Sequence, residues 1–131
     1  MKWSIRGKVV SGKQLGRTLG FPTANIQSDF AFRKEFGGVY AAWTEISGER
    51  YLCVVNIGRH PTFPEGPATV EAHVVDYSGS LYGQDMEIEI FRRLRGEVRF
   101  ASAQDLCDQL RRDIVNARNA AEEHDEGGGE D

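Results

Sequence analysis

Apolar and polar residues alternate along Ile5–Val10, which predicts a strand. Val39–Ile46 and Tyr51–Ile57 are rich in β-branched and aromatic residues, and Ser47-Gly48-Glu49-Arg50 between them reads as a hairpin turn. Thr69–Asp76 is the next strand, and Ser78-Gly79-Ser80 then turns the chain. Met86–Leu94 alternates again, with Met86, Ile88 and Ile90 on one face. Between these runs, Ser11–Asn25 is glycine-rich and irregular, and Gln27–Gly38 has no clear period and reads as a connecting flap. Pro61, Pro64, Gly66 and Pro67 mark a surface loop. After Phe100 the period changes. Leu106, Leu110, Ile114 and Ala117 recur at helical spacing, with Cys107 and Val115 widening the stripe. Ser102 is placed to cap that helix, with Asp105 making an approximate capping box.

Strands at short spacing followed by one amphipathic helix predict an all-β fold with a C-terminal helix. A small antiparallel barrel or sandwich, with the helix packed on its surface or mouth, satisfies the pattern. No βαβ alternation is present, which disfavours a parallel nucleotide-binding sheet. Residues 1–121 form the expected domain. Residues 122–131 are acidic, contain Gly127-Gly128-Gly129 and have nothing to bury, so they are expected to be a disordered tail.

Composition narrows the partners. The chain has 131 residues, enough for one modest core, and a net charge of −4, which leaves no broad basic surface for nucleic acid. Its apolar runs are far too short to span a bilayer, and Met1-Lys2-Trp3-Ser4 leads into a strand without a signal-like apolar stretch. The two cysteines, Cys53 and Cys107, form no CxxC pair, which suits a reducing cytoplasm. A cytoplasmic monomer without membrane or nucleic-acid partners is the expectation.

The most informative stretch is GRTLGFPTAN, residues 16–25. Gly16-Arg17-Thr18 imitates the end of a P-loop, but three residues rather than four separate Gly12 from Gly16, and Pro22 stands where a helix would have to run. The P-loop reading fails. Gly12, Gly16 and Gly20 still allow backbone N–H groups to approach a ligand closely, and Lys13 and Arg17 add positive charge, a combination suited to a polyphosphate or, equally, to a flexible surface loop. In an extended segment Thr23 and Asn25 point to the same side and present two neutral oxygens. They could serve a magnesium ion carried by a triphosphate, or satisfy backbone groups in a turn.

Three further stretches carry candidate chemistry. In the strand at residues 69–77, Val70, Ala72 and Val74 form a core face, while Glu71 and His73 share the other with Val75. Glu71 could act as a general base, or the pair could be a solvated polar face; a metal site lacks a third ligand. Asn56 and Arg59 stand at a strand end, where they could face a site or cap a turn. Arg92, Arg93, Arg95 and Arg99 cluster around Gly96, either as a phosphate-attracting patch or as a solvated basic turn.

Taken in order, Gly12 with GRTLGFPTAN, GGVYA, VNIGRHPTF, VEAHVVDY, SLYG and LRGEVRF resemble the riboflavin kinase family over residues 4–118. The resemblance implies a six-stranded antiparallel Greek-key β-barrel with a C-terminal helix. It implies ATP-dependent phosphorylation of the terminal ribityl hydroxyl of riboflavin, giving FMN and ADP, with Mg²⁺ as cofactor. By the same resemblance Glu71 is the catalytic base, and Thr23 and Asn25 are magnesium and phosphate ligands. Gly12 and Arg17 belong to the ATP loop. Val74, Asp76 and Tyr82 hold the nucleotide, and Arg95, Val98 and Phe100 contact flavin. The alternative is a non-catalytic flavin- or nucleotide-binding regulatory module. Bacterial members usually carry this unit behind an FMN adenylyltransferase domain, which is absent from these residues. Either the chain is a stand-alone kinase or it is cut from a longer bifunctional chain; Met1 ahead of the first strand and the acidic end favour the first, and FAD synthesis is not expected from these residues.

Overall fold

The structure, a computed structural model, describes residues 3–10, 23–28, 34–58 and 68–126. The strands are β1 (Trp3–Val10), β2 (Ala24–Gln27), β3 (Gly38–Ile46), β4 (Glu49–Gly58), β5 (Thr69–Val74) and β6 (Asp85–Arg95). A short 3-10 helix, Lys34–Phe36, precedes β3, and one α-helix, α1 (Ala103–Glu126), follows the strands. The strands close into an antiparallel barrel in the order β1-β2-β5-β4-β3-β6. Consecutive β3, β4 and β5 are flanked by β2 and β6, which return from elsewhere in the chain; these are Greek-key connections. No helix among the described residues is long and apolar enough to cross a membrane.

The alternation in the sequence becomes the inside and outside of the barrel. Ile5, Tyr40, Val55, Ala72, Ile88 and Ile90 point inwards and are almost wholly buried. The lumen is filled by side chains, as expected of so narrow a barrel. Trp3 leans edge-on against Tyr40 at 5.5 Å between ring centroids.

A second cluster joins the outer surface to the helix: Val39, Ala41, Val54 and Phe91 against Ala117, Ala120 and Ala121. Small alanines let the helix backbone lie close to the sheet. Two irregularities in the β3–β6 ladder assist. Ala42 pairs with Ile90 and Ala41 with Arg92, and Tyr40 pairs with Arg93 and Val39 with Arg95, so Phe91 and Leu94 are extra residues on β6. Both pack into the helix-side cluster, the re-aiming that a β-bulge provides.

Several expectations shift. The hairpin turn is only Ser47-Gly48, and β4 starts at Glu49. Both turn residues have positive φ, 52° and 82°, which matches the twist of the flanking strands. Residues 24–27, read within or beside irregular segments, form the strand that closes the barrel. Ser102 caps α1 as expected: its Oγ accepts from Asp105 N at 3.1 Å and its carbonyl from Leu106 N at 3.2 Å. Val115, assigned to the apolar stripe, is 55 % exposed. The helix also continues through residues 122–126, which were expected in the tail. Glu123 accepts a 2.9 Å bond from Arg92 on β6, which ties that part of the helix to the barrel. Residues 127–131 of the expected tail, residues 29–33 of the expected flap and the proline loop lie outside the described residues.

Candidate active site

Because the lumen is full, a ligand must bind on the outside. The register of four ladders sets up the outer surface. Asn25 on β2 opposes Glu71 on β5, Glu71 opposes Asn56 on β4, Asn56 opposes Val39 on β3, and Val39 opposes Arg95 on β6. Directly opposed residues share a face, with Cβ atoms about 5 Å apart. A single outward row therefore crosses five strands, with a carboxylate between two amides.

Helix α1 and the loop from Gly96 to Ser102 stand over this row and enclose a cleft of about 230 Å³. Its floor is Thr23, Val39, Val54, Asn56, Glu71 and His73, and its wall includes Val98, Phe100, Leu106, Leu110 and Ile114. Arg95, Glu97 and Asp113 complete the lining. Polar groups concentrate on the barrel side and apolar groups on the helix and loop side. The N-terminal half of the helical stripe thus lines the cleft instead of a closed core. Only its later residues, such as Ala117, are fully packed on the barrel.

Of the expected site residues, Thr23, Glu71, Arg95, Val98 and Phe100 meet in this cleft. Asn25 is not part of the lining but neighbours Glu71 in the row. Arg95 lines the cleft with its guanidinium already engaged. Its Nε and Nη2 donate to the two carboxylate oxygens of Asp113 at 2.9 and 2.8 Å, and its Nη1 donates to Gly96 O at 3.0 Å. A guanidinium held at all three nitrogens is a strut between strand and helix.

The expected nucleotide residues lie apart from the cleft. Val74 points into the barrel interior, because alternate β5 residues face inwards, so its side chain is not presented to a ligand outside. Asp76 is exposed and paired with Arg118 at 3.3 Å. Tyr82 is 67 % exposed on a turn fastened to the end of β1, where Gly83 N donates to Val9 O and Val9 N to Gln84 O. All three sit toward the barrel end at which β1 finishes and β2 begins. Gly12 and Arg17, from the segment joining those two strands, lie outside the described residues. So does Arg59.

Sequence reasoning weighed Asn56 and His73 without assigning either a role, and did not mark Glu97 or Asp113 at all. For Asp113 a signal existed: it follows Leu110 by three positions and precedes Ala117 by four, so it lies on the apolar face. It is 0 % exposed. Among the described residues no group of three or more His, Cys, Asp or Glu side chains could hold a metal.

The sequence pattern of the Flavokinase family, described as riboflavin kinase, matches residues 1–121. The bifunctional riboflavin kinase/FMN adenylyltransferase of Haemophilus influenzae is 38 % identical over 117 residues, covering 88 % of this chain and 38 % of that protein. This chain spans only 37–38 % of the length of such curated relatives. A riboflavin kinase structure from Trypanosoma brucei superposes with a TM-score of 0.65 at 27 % identity, covering 92 % of this chain and 80 % of that one. A Streptococcus pneumoniae structure named a macrolide-efflux protein gives 0.79 at 33 % identity, covering 88 % of this chain and 38 % of that one. A family match spanning nearly the whole described barrel and helix leaves one conclusion: the chain belongs to the riboflavin kinase family.

Proposed function

We propose that this chain transfers the γ-phosphoryl group of ATP to the terminal ribityl hydroxyl of riboflavin, giving FMN and ADP. The observation that carries the reading is the continuity of one cleft from Thr23 and Glu71 to the apolar wall at Val98, Phe100, Leu106 and Leu110. The flat isoalloxazine ring suits that wall. The polyol chain would then run along the polar floor past Asn56, with its last hydroxyl at Glu71. Glu71 orients that hydroxyl and accepts its proton, a contribution of about 10²–10⁴-fold. Most of the remaining acceleration comes from positioning and charge stabilisation.

ATP would enter from the other side. Val10 and Thr23, which flank the glycine-rich segment, neighbour each other at the barrel end that also carries Asp76 and Tyr82. Donor and acceptor would approach Glu71 from opposite directions, which is what transfer in line requires. Gly12 and Arg17 would cradle the phosphates. The neutral oxygens of Thr23 and Asn25 fit a Mg²⁺ ion that arrives with the triphosphate, since such an ion needs only one or two protein ligands. Bound there, the ion would neutralise charge on the β- and γ-phosphates. We read the protein as a monomer without a nucleic-acid partner, consistent with its net charge of −4.

The test is to incubate the purified chain with riboflavin and MgATP and to separate the flavins and nucleotides by chromatography. FMN and ADP should form in equal amounts. Absence of FMN, with the protein folded, would overturn the reading.

A further inference from the structure

One ion pair in the cleft is built differently from the pairs on the protein surface. Asp113 is the one charged residue that is fully buried among the described residues, and its partner Arg95 has a side-chain exposure of 20 %. Four surface pairs, Arg6–Glu87, Arg92–Glu123, Arg111–Asp108 and Arg118–Asp76, join partners that are 43–78 % exposed. The contact is a fork: two guanidinium nitrogens on two carboxylate oxygens. Gln109 Nε2 also donates to Asp113 Oδ1 at 3.0 Å from the preceding turn of α1.

A buried ion pair recovers little net folding energy, because desolvating both charges opposes their attraction. What the fork does provide is one allowed geometry. Here that geometry links every part of the cleft wall. Arg95 ends β6, Asp113 and Gln109 belong to α1, and Gly96 O begins the intervening loop. The ring of Phe100, near the end of that loop, has its centroid 5.9 Å from the Arg95 guanidinium carbon. At its second residue, Glu97, the loop reaches across to the β4–β5 end. A Cβ added to Gly58 would lie 3.3 Å from a Glu97 carboxylate oxygen and 3.3 Å from Thr69 Oγ1.

We infer that Arg95 and Asp113 act as one positioning unit that fixes the loop bearing Val98 and Phe100, and the cleft-lining turns of α1, at the spacing the acceptor needs. The unit governs acceptor binding and leaves the phosphate donor alone. This rests on the reading of the cleft as the riboflavin site. It differs from a direct contact between Arg95 and flavin, because in that case Asp113 would compete with the ligand for the guanidinium.

Steady-state kinetics on Asp113→Asn, Arg95→Lys and the double variant separate these cases, with thermal melting measured alongside. The expected result is a riboflavin KM raised about tenfold to a hundredfold in each single variant. The KM for MgATP and the kcat at saturating riboflavin should stay within about threefold. The double variant should be no worse than the worse single one, as coupled residues behave. Three results would overturn the inference. One is a raised KM in Arg95→Lys but not in Asp113→Asn, which marks Arg95 as a direct contact. The second is an equal rise in both substrates' KM. The third is a lowered melting temperature with unchanged KM. If Asp113→Asn does not fold, an unchanged riboflavin KM in Arg95→Lys is sufficient to overturn it. Failure of the proposed function looks different, since the unmodified chain would then make no FMN.

Discussion

Glu71 on β5 stands directly opposite Asn25 on β2, paired in the ladder with both side chains on the outer face of the barrel. That relationship sets a carboxylate beside the amide expected to serve the metal. If Glu71 accepts the proton of the attacking hydroxyl, replacing it by the isosteric amide removes the base and keeps the shape. Glu71→Gln should lower kcat at least about a hundredfold and leave nucleotide affinity nearly unchanged. FMN formation, with binding of a fluorescent ATP analogue measured in parallel, checks both halves of the expectation. Normal turnover would remove Glu71 from the role.

Asn25 is expected to fail differently. Its oxygen would help hold the ion that accompanies the triphosphate, so Asn25→Ala should move the magnesium activation curve to roughly tenfold higher concentration. The riboflavin KM should change little. A magnesium titration that overlays that of the unmodified chain would show that Asn25 is not a ligand.

Asn56 flanks Glu71 from the opposite side, on β4, and lines the cleft. It lies on the side of Glu71 where the acceptor is proposed to bind, away from the end where Val10 and Thr23 flank the glycine-rich segment. Losing its hydrogen bond to a substrate hydroxyl costs about 1 kcal/mol, or roughly fivefold in the riboflavin KM of Asn56→Ala. The magnesium curve should stay in place. If Asn56→Ala shifted the magnesium curve and Asn25→Ala shifted the riboflavin KM, the proposed direction of the two substrates would be reversed.

The apolar wall makes its own claim. Phe100 is partly buried and offers its ring to the cleft. Stacking and burial of that ring against isoalloxazine are worth about 1–2 kcal/mol. Phe100→Ala should therefore weaken riboflavin binding roughly five- to thirtyfold, read from quenching of flavin fluorescence. The position is not interior, so the melting temperature should fall by only a few degrees. Unchanged flavin affinity would place the ring elsewhere.

What the sequence made readable was local. Met86, Ile88 and Ile90 alternate because one face of β6 fills the lumen, and Ser102 announced the start of α1 because an orphan N–H needs its oxygen. The four residues of β2 are too few to show a period, and their strand state depends on pairing with β1 and β5. The resemblance pointed to Thr23 and Glu71, and the structure brings both into one cleft. The resemblance also pointed to Arg95, which lines the cleft, but its ion pair was not legible, because Asp113 lies 18 positions away on the helix and no local pattern announces a partner across that distance. The outer row from Asn25 to Arg95 likewise exists only through the register of four ladders.

Cys53 tests the barrel interior independently of function. It faces inwards from β4, opposite Ala42 on β3 and Val74 on β5, and is 0 % exposed. Burial pushes its thiol up from 9.0 to about 12, because the thiolate would have no water around it. The sign follows from proton counting. Below pH 9 the thiol is protonated in folded and unfolded chains alike, and Cys53 adds no pH dependence. Between pH 9 and about 12 the unfolded chain loses this proton while the folded chain keeps it, so stability falls as pH rises. The slope approaches about 1.4 kcal/mol per pH unit from this group alone. Urea unfolding at a series of alkaline pH values, compared between the unmodified chain and Cys53→Ala, should show a shallower loss of stability in the variant, even though the variant starts out less stable. Parallel curves would mean that the thiol reaches solvent in the folded protein, and the lumen would then not be the packed interior that forces a ligand to the outer face.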